Sequence, residues 1–250
     1  MKKSKTRLFI QKQISPNLMI YIKGKQRHFL KNVLRVRLND IISIFDGLTG
    51  EWHANIISIS KEKIAIKVLK KIREFEVQPD IWLIFAPIRQ IRLNITIQKA
   101  VELGVSKFVP CKTEFSNFDK LNYKNLELNA IEASQQCERL DIPIIEKIID
   151  LKSLLGKFPS ERALVFCDES NPDLPSIYDM VKSNTNTYSK WAVIIGPEGG
   201  FSDQEKHSIA EVSNVLRVTL GKRILRSDTA AISSLFCIQS LVDKRQPVLK

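Results

Sequence analysis

Three loops hold the residue types from which a binding site can be built. In the first, an apolar run breaks into Gly196-Pro197-Glu198-Gly199-Gly200, three glycines within five residues. Glycine lets a backbone approach a ligand closely or take a positive φ. Ser202 and Glu205 follow at the spacing of a capping box, so a helix starts directly after the loop. Neither the phosphate loop G-x-x-x-x-G-K-[ST] nor the dinucleotide pattern G-x-G-x-x-G occurs here. The second loop, Leu220-Gly221-Lys222-Arg223-Ile224-Leu225-Arg226, places three cations between an apolar strand and a helix rich in Ala and Ser. Ser227 or Asp228 would cap that helix. The third is the end of a strand, Val165-Phe166-Cys167-Asp168-Glu169, which delivers two carboxylates and by itself specifies nothing.

The remaining reactive side chains point to no metal and no disulfide framework. Cys111, Cys137, Cys167 and Cys237 are widely spaced without a C-x-x-C pair, and His28, His53 and His207 lack ligand spacing. Reduced thiols in a cytoplasmic protein are expected. With 250 residues, 44% hydrophobic and 26% charged, the chain can bury a core in one large domain or two small ones. No apolar run reaches the roughly 20 residues of a membrane span. The basic start lacks the apolar stretch of a secretory signal.

The net charge of +12 is unevenly placed: residues 1–78 hold 17 of the 39 Lys+Arg and only 6 of the 27 Asp+Glu. A concentrated positive field favours a polyanion, because each neutralised phosphate releases condensed counterions. Nucleic acid is the expected partner, and a membrane is not.

The elements that position these loops follow from periodicity. Residues 18–72 alternate short β-branched runs with tight turns and one helical interruption through Phe29, Leu30, Val33 and Leu34, the pattern of a small barrel. A charged stretch ends in Pro79. The expected division is a basic RNA-binding barrel over 1–72, a linker over 73–79 and an α/β domain over 80–250. From Ile81 onward, apolar strands alternate with amphipathic helices, which argues for a parallel sheet covered on both faces. Ligands bind such sheets beyond the carboxyl ends of the strands, where all three loops fall.

Gln98-Lys99-Ala100-Val101-Glu102-Leu103-Gly104-Val105, Thr113–Ser116, the run from Glu132 to Pro143, Val193–Glu205 and Leu220–Ala231 together resemble the bacterial 16S ribosomal RNA (uracil-N3)-methyltransferases, in order and spacing. These belong to the knotted SPOUT superfamily. The resemblance covers almost the whole chain, with the basic β-rich start similar to the family's PUA-like barrel. It implies a trefoil-knotted α/β methyltransferase domain, S-adenosyl-L-methionine as methyl donor, no metal, a homodimer, and 16S RNA or the assembled 30S subunit as partner.

Mapped onto this chain, the cofactor residues implied are Cys167 and Asp168; Gly196, Pro197, Glu198, Gly199 and Gly200; and Leu220, Gly221, Ile224 and Leu225. Arg226 is the implied catalytic cation, aimed at negative charge developing on uracil. Arg27, Arg35, Arg37, Arg89, Arg92 and Arg139 are the expected RNA contacts. N3 lies on the Watson–Crick edge, so the target uridine must be unpaired or extruded.

The chain departs from the family pattern at several positions. Phe115 stands for a usual Arg, Gln135 for Glu, Glu138 for Gly, and Arg89-Gln90-Ile91 for Lys-Gly-Asp. The charge-changing departures fall on segments assigned to RNA rather than to the donor. A tRNA or ribose 2′-oxygen methyltransferase, and an RNA-binding assembly protein with a decayed site, are the competing readings.

Overall fold

The computed structural model describes residues 4–116, 120–171 and 173–243. The expected domain ranges also include 1–3, 117–119, 172 and 244–250, which lie outside the described residues. The chain divides into two units, one of residues 1–77 with 134–142, the other of 78–133 with 143–250.

In the first unit, β1 (Arg7–Phe9), β2 (Met19–Ile22), β3 (Ile41–Phe45), β4 (Glu51–Ile59) and β5 (Ile64–Arg73) form one sheet in the order β1-β3-β4-β5-β2. β1 runs parallel to β3, and every other neighbour is antiparallel. Inward positions such as Ile42, Ile44, Ile56, Ile64 and Ile66 are fully buried, each contributing about 1.5–3 kcal/mol of burial free energy. The helical interruption is α1 (Gly24–His28), continued by a wider π-helical turn over Phe29–Val33 that buries Leu30.

Residues 134–142 join this unit, although the sequence pattern gives no sign of it. Arg7 explains the attachment. Its guanidinium donates to the carbonyls of Ser134 (3.2 Å), Gln135 (3.0 Å) and Arg139 (3.0 Å) and pairs with Glu51 at 2.9 Å. Gln135 in turn accepts from the Phe9 N–H at 2.9 Å.

The second unit contains β6 (Asp80–Phe85), α2 (Gln90–Glu102), β7 (Lys107–Lys112), α3 (Tyr123–Gln136, whose last turn is grouped with the first unit), β8 (Ile144–Ile145), β9 (Ile149–Asp150) and α4 (Leu151–Leu155). β10 (Arg162–Cys167), α5 (Ile177–Asn184), β11 (Lys190–Ile195), α6 (Asp203–Ala210), β12 (Val215–Val218) and α7 (Ser227–Val242) follow. The sheet is parallel throughout, in the order β12-β10-β11-β6-β7-β8, with β9 also pairing β7. Ile84, Leu164, Phe166, Ala192 and Ile194 share a core with Leu151 and Leu154 of α4 and Ile209 of α6. Their strand neighbours Leu83, Val165 and Val193 point the opposite way and are equally buried, so both faces are covered. α7 packs on α2, α5 and β11. α2 carries the expected 3.6-residue stripe, Leu93, Ile97, Ala100 and Val101, and the chain turns at Gly104 with φ +84°.

Candidate active site at the strand ends

β10 stops at Cys167 and β11 at Ile195, and the loops beyond them enclose a cavity of about 380 Å³. Cys167, Asp168, Gly196, Pro197, Glu198 and Gly200 line it from the strand ends. Ile224, Leu225 and Arg226 line it from the segment before α7, and Arg92 from α2. Leu220 and Gly221 lie in an adjoining cavity of about 260 Å³ that shares Cys167, Asp168, Ile224 and Leu225. Of the residues the resemblance assigned to the donor, Gly199 alone lines neither cavity.

Local chemistry explains why the glycine loop holds its shape. Ser202 and Glu205 form the expected capping box at the start of α6. The Glu205 carboxylate does more than cap: one oxygen accepts from the Ser202 N–H (3.0 Å) and the other from the Glu114 N–H (2.8 Å). The 113–116 turn, closed by Thr113 and Ser116, is thereby fastened to the glycine loop. A Cβ on Gly199 would stand 3.3 Å from the Phe115 Cβ, so the backbone there is in close contact with that aromatic residue. Gly200 takes φ +71°, and a Cβ there would come within 3.1 Å of the Glu169 carboxylate.

Asp168 is 2% exposed. Its carboxylate accepts from Arg217 at 2.7 Å and from the Ser170 backbone N–H at 3.0 Å, and from the Ser170 hydroxyl. Burial alone would raise its pKa, but these hydrogen bonds and the Arg217 charge outweigh burial and hold it below the usual carboxylate value. Asp168 is therefore an ionised anchor rather than a free acid. Cys167 is the opposite case. Burial pushes its thiol up to about 11 despite a contact with the Ser234 hydroxyl at 3.2 Å, so it contributes a neutral wall.

Arg226 occupies the N-cap position of α7 with extended backbone, φ −68° and ψ 153°. This corrects the expectation that Ser227 or Asp228 caps the helix. Ser227 is the first helical residue, and its hydroxyl oxygen is buried without a hydrogen-bond partner at the cavity wall. The Arg226 side chain is exposed and makes no hydrogen bond or ion pair among the described residues. A cation at the positive end of a 16-residue helix makes this rim favourable to developing negative charge. Ser227 and Lys206, both lining the cavity, were missed from sequence. Ser227 had a signal in directly following Arg226, whereas Lys206 reads as one more solvated helix lysine.

The six arginines expected at RNA separate into distinct roles. Arg35, Arg37 and Arg89 are exposed. Arg27 donates from Nη2 to the Ser60 carbonyl at 3.0 Å. Arg92 pairs with Glu198 at 2.7 Å, which places it at the cavity rather than on an outer surface. The same bond gives Glu198, implied by the resemblance as a cofactor residue, a charged partner at the cavity wall. Arg139 departs from its expected role: its side chain is 5% exposed and forms a two-pronged bond with Asp141, 2.8 Å on each arm, so it braces 134–142 from within.

Among the described residues no group of three or more His, Cys, Asp or Glu could hold a metal. No helix there is long and apolar enough to cross a membrane.

Residues 76–239 match the model of an RNA methyltransferase domain, and residues 22–69 that of an RNA methyltransferase PUA domain. A PUA-like domain followed by a SPOUT α/β methyltransferase fold is thus the class that architecture and site define. The chain belongs to the ribosomal RNA small subunit methyltransferase E family. The relative of that name from Rickettsia conorii is 32% identical over 236 residues, covering 94% of this chain and 95% of its own. That from Bacillus subtilis is 27% identical, covering 93% and 95%. A crystal structure of the Neisseria gonorrhoeae enzyme, bound to S-adenosyl methionine, superposes with TM-score 0.83 at 28% identity, covering 94% of this chain and 97% of the other.

Proposed function

We propose that this chain transfers a methyl group from S-adenosyl-L-methionine to N3 of one uridine in small-subunit (16S) ribosomal RNA, acting in the cytoplasm as a homodimer on the assembled 30S subunit. One observation carries the reading: an unpaired guanidinium, Arg226, stands at the rim of a glycine-walled cavity beside a buried hydroxyl with no partner, Ser227. The chemistry of that wall fits the donor. Gly196 and Gly200 keep backbone exposed where a Cβ would press on Phe201 (3.0 Å) or Glu169 (3.1 Å), and backbone amides and carbonyls suit an adenine edge and an amino-acid end. Cys167, Gly196, Pro197, Glu198, Gly200 and Leu220–Leu225 are the residues that would hold it, with Asp168 fixing the β10 end.

When bound, S-adenosylmethionine supplies a methyl on a positively charged sulfur, electrophilic enough for a nitrogen to take. The chain's own task is to prepare that nitrogen. Uracil N3 carries a weakly acidic proton, and its loss spreads negative charge over O2, N3 and O4. Arg226 is placed to stabilise that charge, most strongly where water is excluded. Arg92 holds Glu198, and Glu205 holds the 113–116 turn, so both segments of the rim are tied to neighbouring elements.

The test is methyl transfer from labelled donor to intact small subunits, naked 16S RNA and tRNA, followed by mass spectrometry of the nucleosides. N3-methyluridine from the assembled subunit is expected. Label on a ribose, on another base or on tRNA would overturn the assignment, and light scattering at one protomer's mass would remove the dimer.

A further inference from the structure

The first unit contains a cleft that no part of the methyl-transfer reading uses. It lies along β2, the last strand on the sheet path, and encloses about 490 Å³. Along β2, Ile20 and Ile22 point into the core while Met19 and Tyr21 point out, 38% and 53% exposed. Lys12, Lys23 and Lys63 line the same cleft with them, and no carboxylate does. The Lys63 ammonium sits 4.4 Å from the centre of the Tyr21 ring.

Lysines beside an edge strand have an ordinary explanation, since they discourage pairing with another chain. A half-exposed tyrosine and methionine on that edge do the opposite, because apolar surface there invites association. The combination fits an occupant that has flat apolar faces and negative charge together. Neighbouring contacts hold the cleft in shape. Ser60 closes the turn carrying Lys63 by accepting from the Lys63 N–H (3.1 Å) and donating to its carbonyl (2.9 Å). Arg27 fastens the same turn through the Ser60 carbonyl. Gln26 ties α1 to β1 by donating to the Phe9 carbonyl at 2.8 Å.

We infer that this cleft binds unpaired RNA, with Tyr21 stacking on one base and Lys12, Lys23 and Lys63 holding the flanking phosphates. The occupant is a single strand rather than a duplex, because bases in a helix present no free face to a side chain. The inference rests on the proposed RNA substrate only for its setting, since it concerns affinity far along the chain from the methyl-transfer cavity. In this picture Arg27 is a positioning residue for Lys63.

The test uses the full chain without methyl donor and an unstructured oligouridylate of about a dozen nucleotides, with a duplex of equal length as control. Tyr21→Ala is expected to weaken oligouridylate binding about tenfold and leave the duplex unchanged, while Tyr21→Phe stays within about twofold of the parent. Lys63→Gln is expected to lower the slope of log K against log salt by about 0.7. Tyr21→Trp adds a fluorophore whose emission is quenched by the oligonucleotide if a base stacks there. Unchanged affinity in Tyr21→Ala, equal loss on the duplex, or unquenched tryptophan would overturn the inference. Failure of the chain to methylate RNA would overturn the proposed function instead and leave these binding results standing.

Discussion

Arg92 and Glu198, 106 residues apart in sequence, meet at 2.7 Å between Nη1 and Oε1 at the cavity wall. The bond fastens α2 to the glycine loop. Both partners are partly exposed, so its share of stability is small, about 0.2–1 kcal/mol, while its effect on loop position is direct. Arg92→Ala is expected to leave the urea midpoint nearly unchanged and to weaken S-adenosylmethionine binding several-fold by calorimetry. A large drop in stability with unchanged donor affinity would contradict the positioning role.

Arg226 is expected to behave differently. Its side chain has no partner to lose among the described residues, so Arg226→Ala should retain both stability and donor binding. Methyl transfer should fall by about 100–1000-fold, the scale on which removing one preorganised charge-stabilising group acts. Arg226→Lys should recover little, because a point charge on a flexible stem does not replace a planar fork. Single-turnover rates at saturating donor would measure both.

Glu205 joins two loops and caps a helix. Glu205→Ala removes acceptors for two backbone N–H groups and should cost about 1–2 kcal/mol by chemical denaturation. Glu205→Gln keeps one oxygen at a position where glutamine also completes a capping box, so it should cost less. Equal losses in the two variants would mean that the oxygen accepting from Ser202 contributes nothing.

The buried thiols give a pH prediction. Burial raises Cys111 to about 12, with Glu205 and Asp150 adding to the rise, and raises Cys167 to about 11. In the unfolded chain both return to about 9. Unfolded thiols then release protons that the folded ones keep, so stability should fall as pH rises from about 9 toward 12. Near pH 8, iodoacetamide should label exposed Cys137 and spare Cys111 and Cys167 until urea is added, as peptide mapping would show.

Glu138 sits at φ +59°, in the left-handed region that favours glycine. A side chain in left-handed backbone costs about 1–2 kcal/mol, partly offset in glycine by greater freedom of the unfolded chain. Glu138→Gly should therefore raise stability by about 0.5–1 kcal/mol, read from the denaturant midpoint. The bond from the Arg73 guanidinium to the Glu138 carbonyl is kept, since it uses only the main chain of residue 138, while the loose 3.9 Å pair of Arg73 with the Glu138 carboxylate is lost.

What could be read from sequence was local. The capping box of Ser202 and Glu205 and the turn at Gly104 depend on residues a few positions apart, and the structure has them as expected. The strands expected over 163–168 and 191–196 follow from unbroken apolar runs, and the structure ends them within one residue, at Cys167 and Ile195. Charged side chains were read less well, because their role depends on a distant partner. Arg92 and Arg139 look alike in sequence, yet one meets Glu198 at a cavity and the other is buried against Asp141. The second hydrogen bond of Glu205, to a residue 91 positions earlier, leaves no periodic mark. The N-cap of α7 was misplaced by one residue because Ser and Asp usually cap through their side chains, whereas here Arg226 takes the position by backbone geometry alone.

The reach of Arg7 to three carbonyls of residues 134–139 has a consequence for synthesis. A nascent chain that has left the translating ribosome only as far as residue 77 has Arg7 in place but nothing for most of its guanidinium to bind. The amino-terminal unit can bury its own core, which lies wholly within residues 8–68, but the contacts of Arg7 are completed only after more than half of the polypeptide has emerged. The last step of its maturation is thus coupled to elongation through the other unit, and truncations ending near residue 77 should fold with lower stability than the same unit in the full chain.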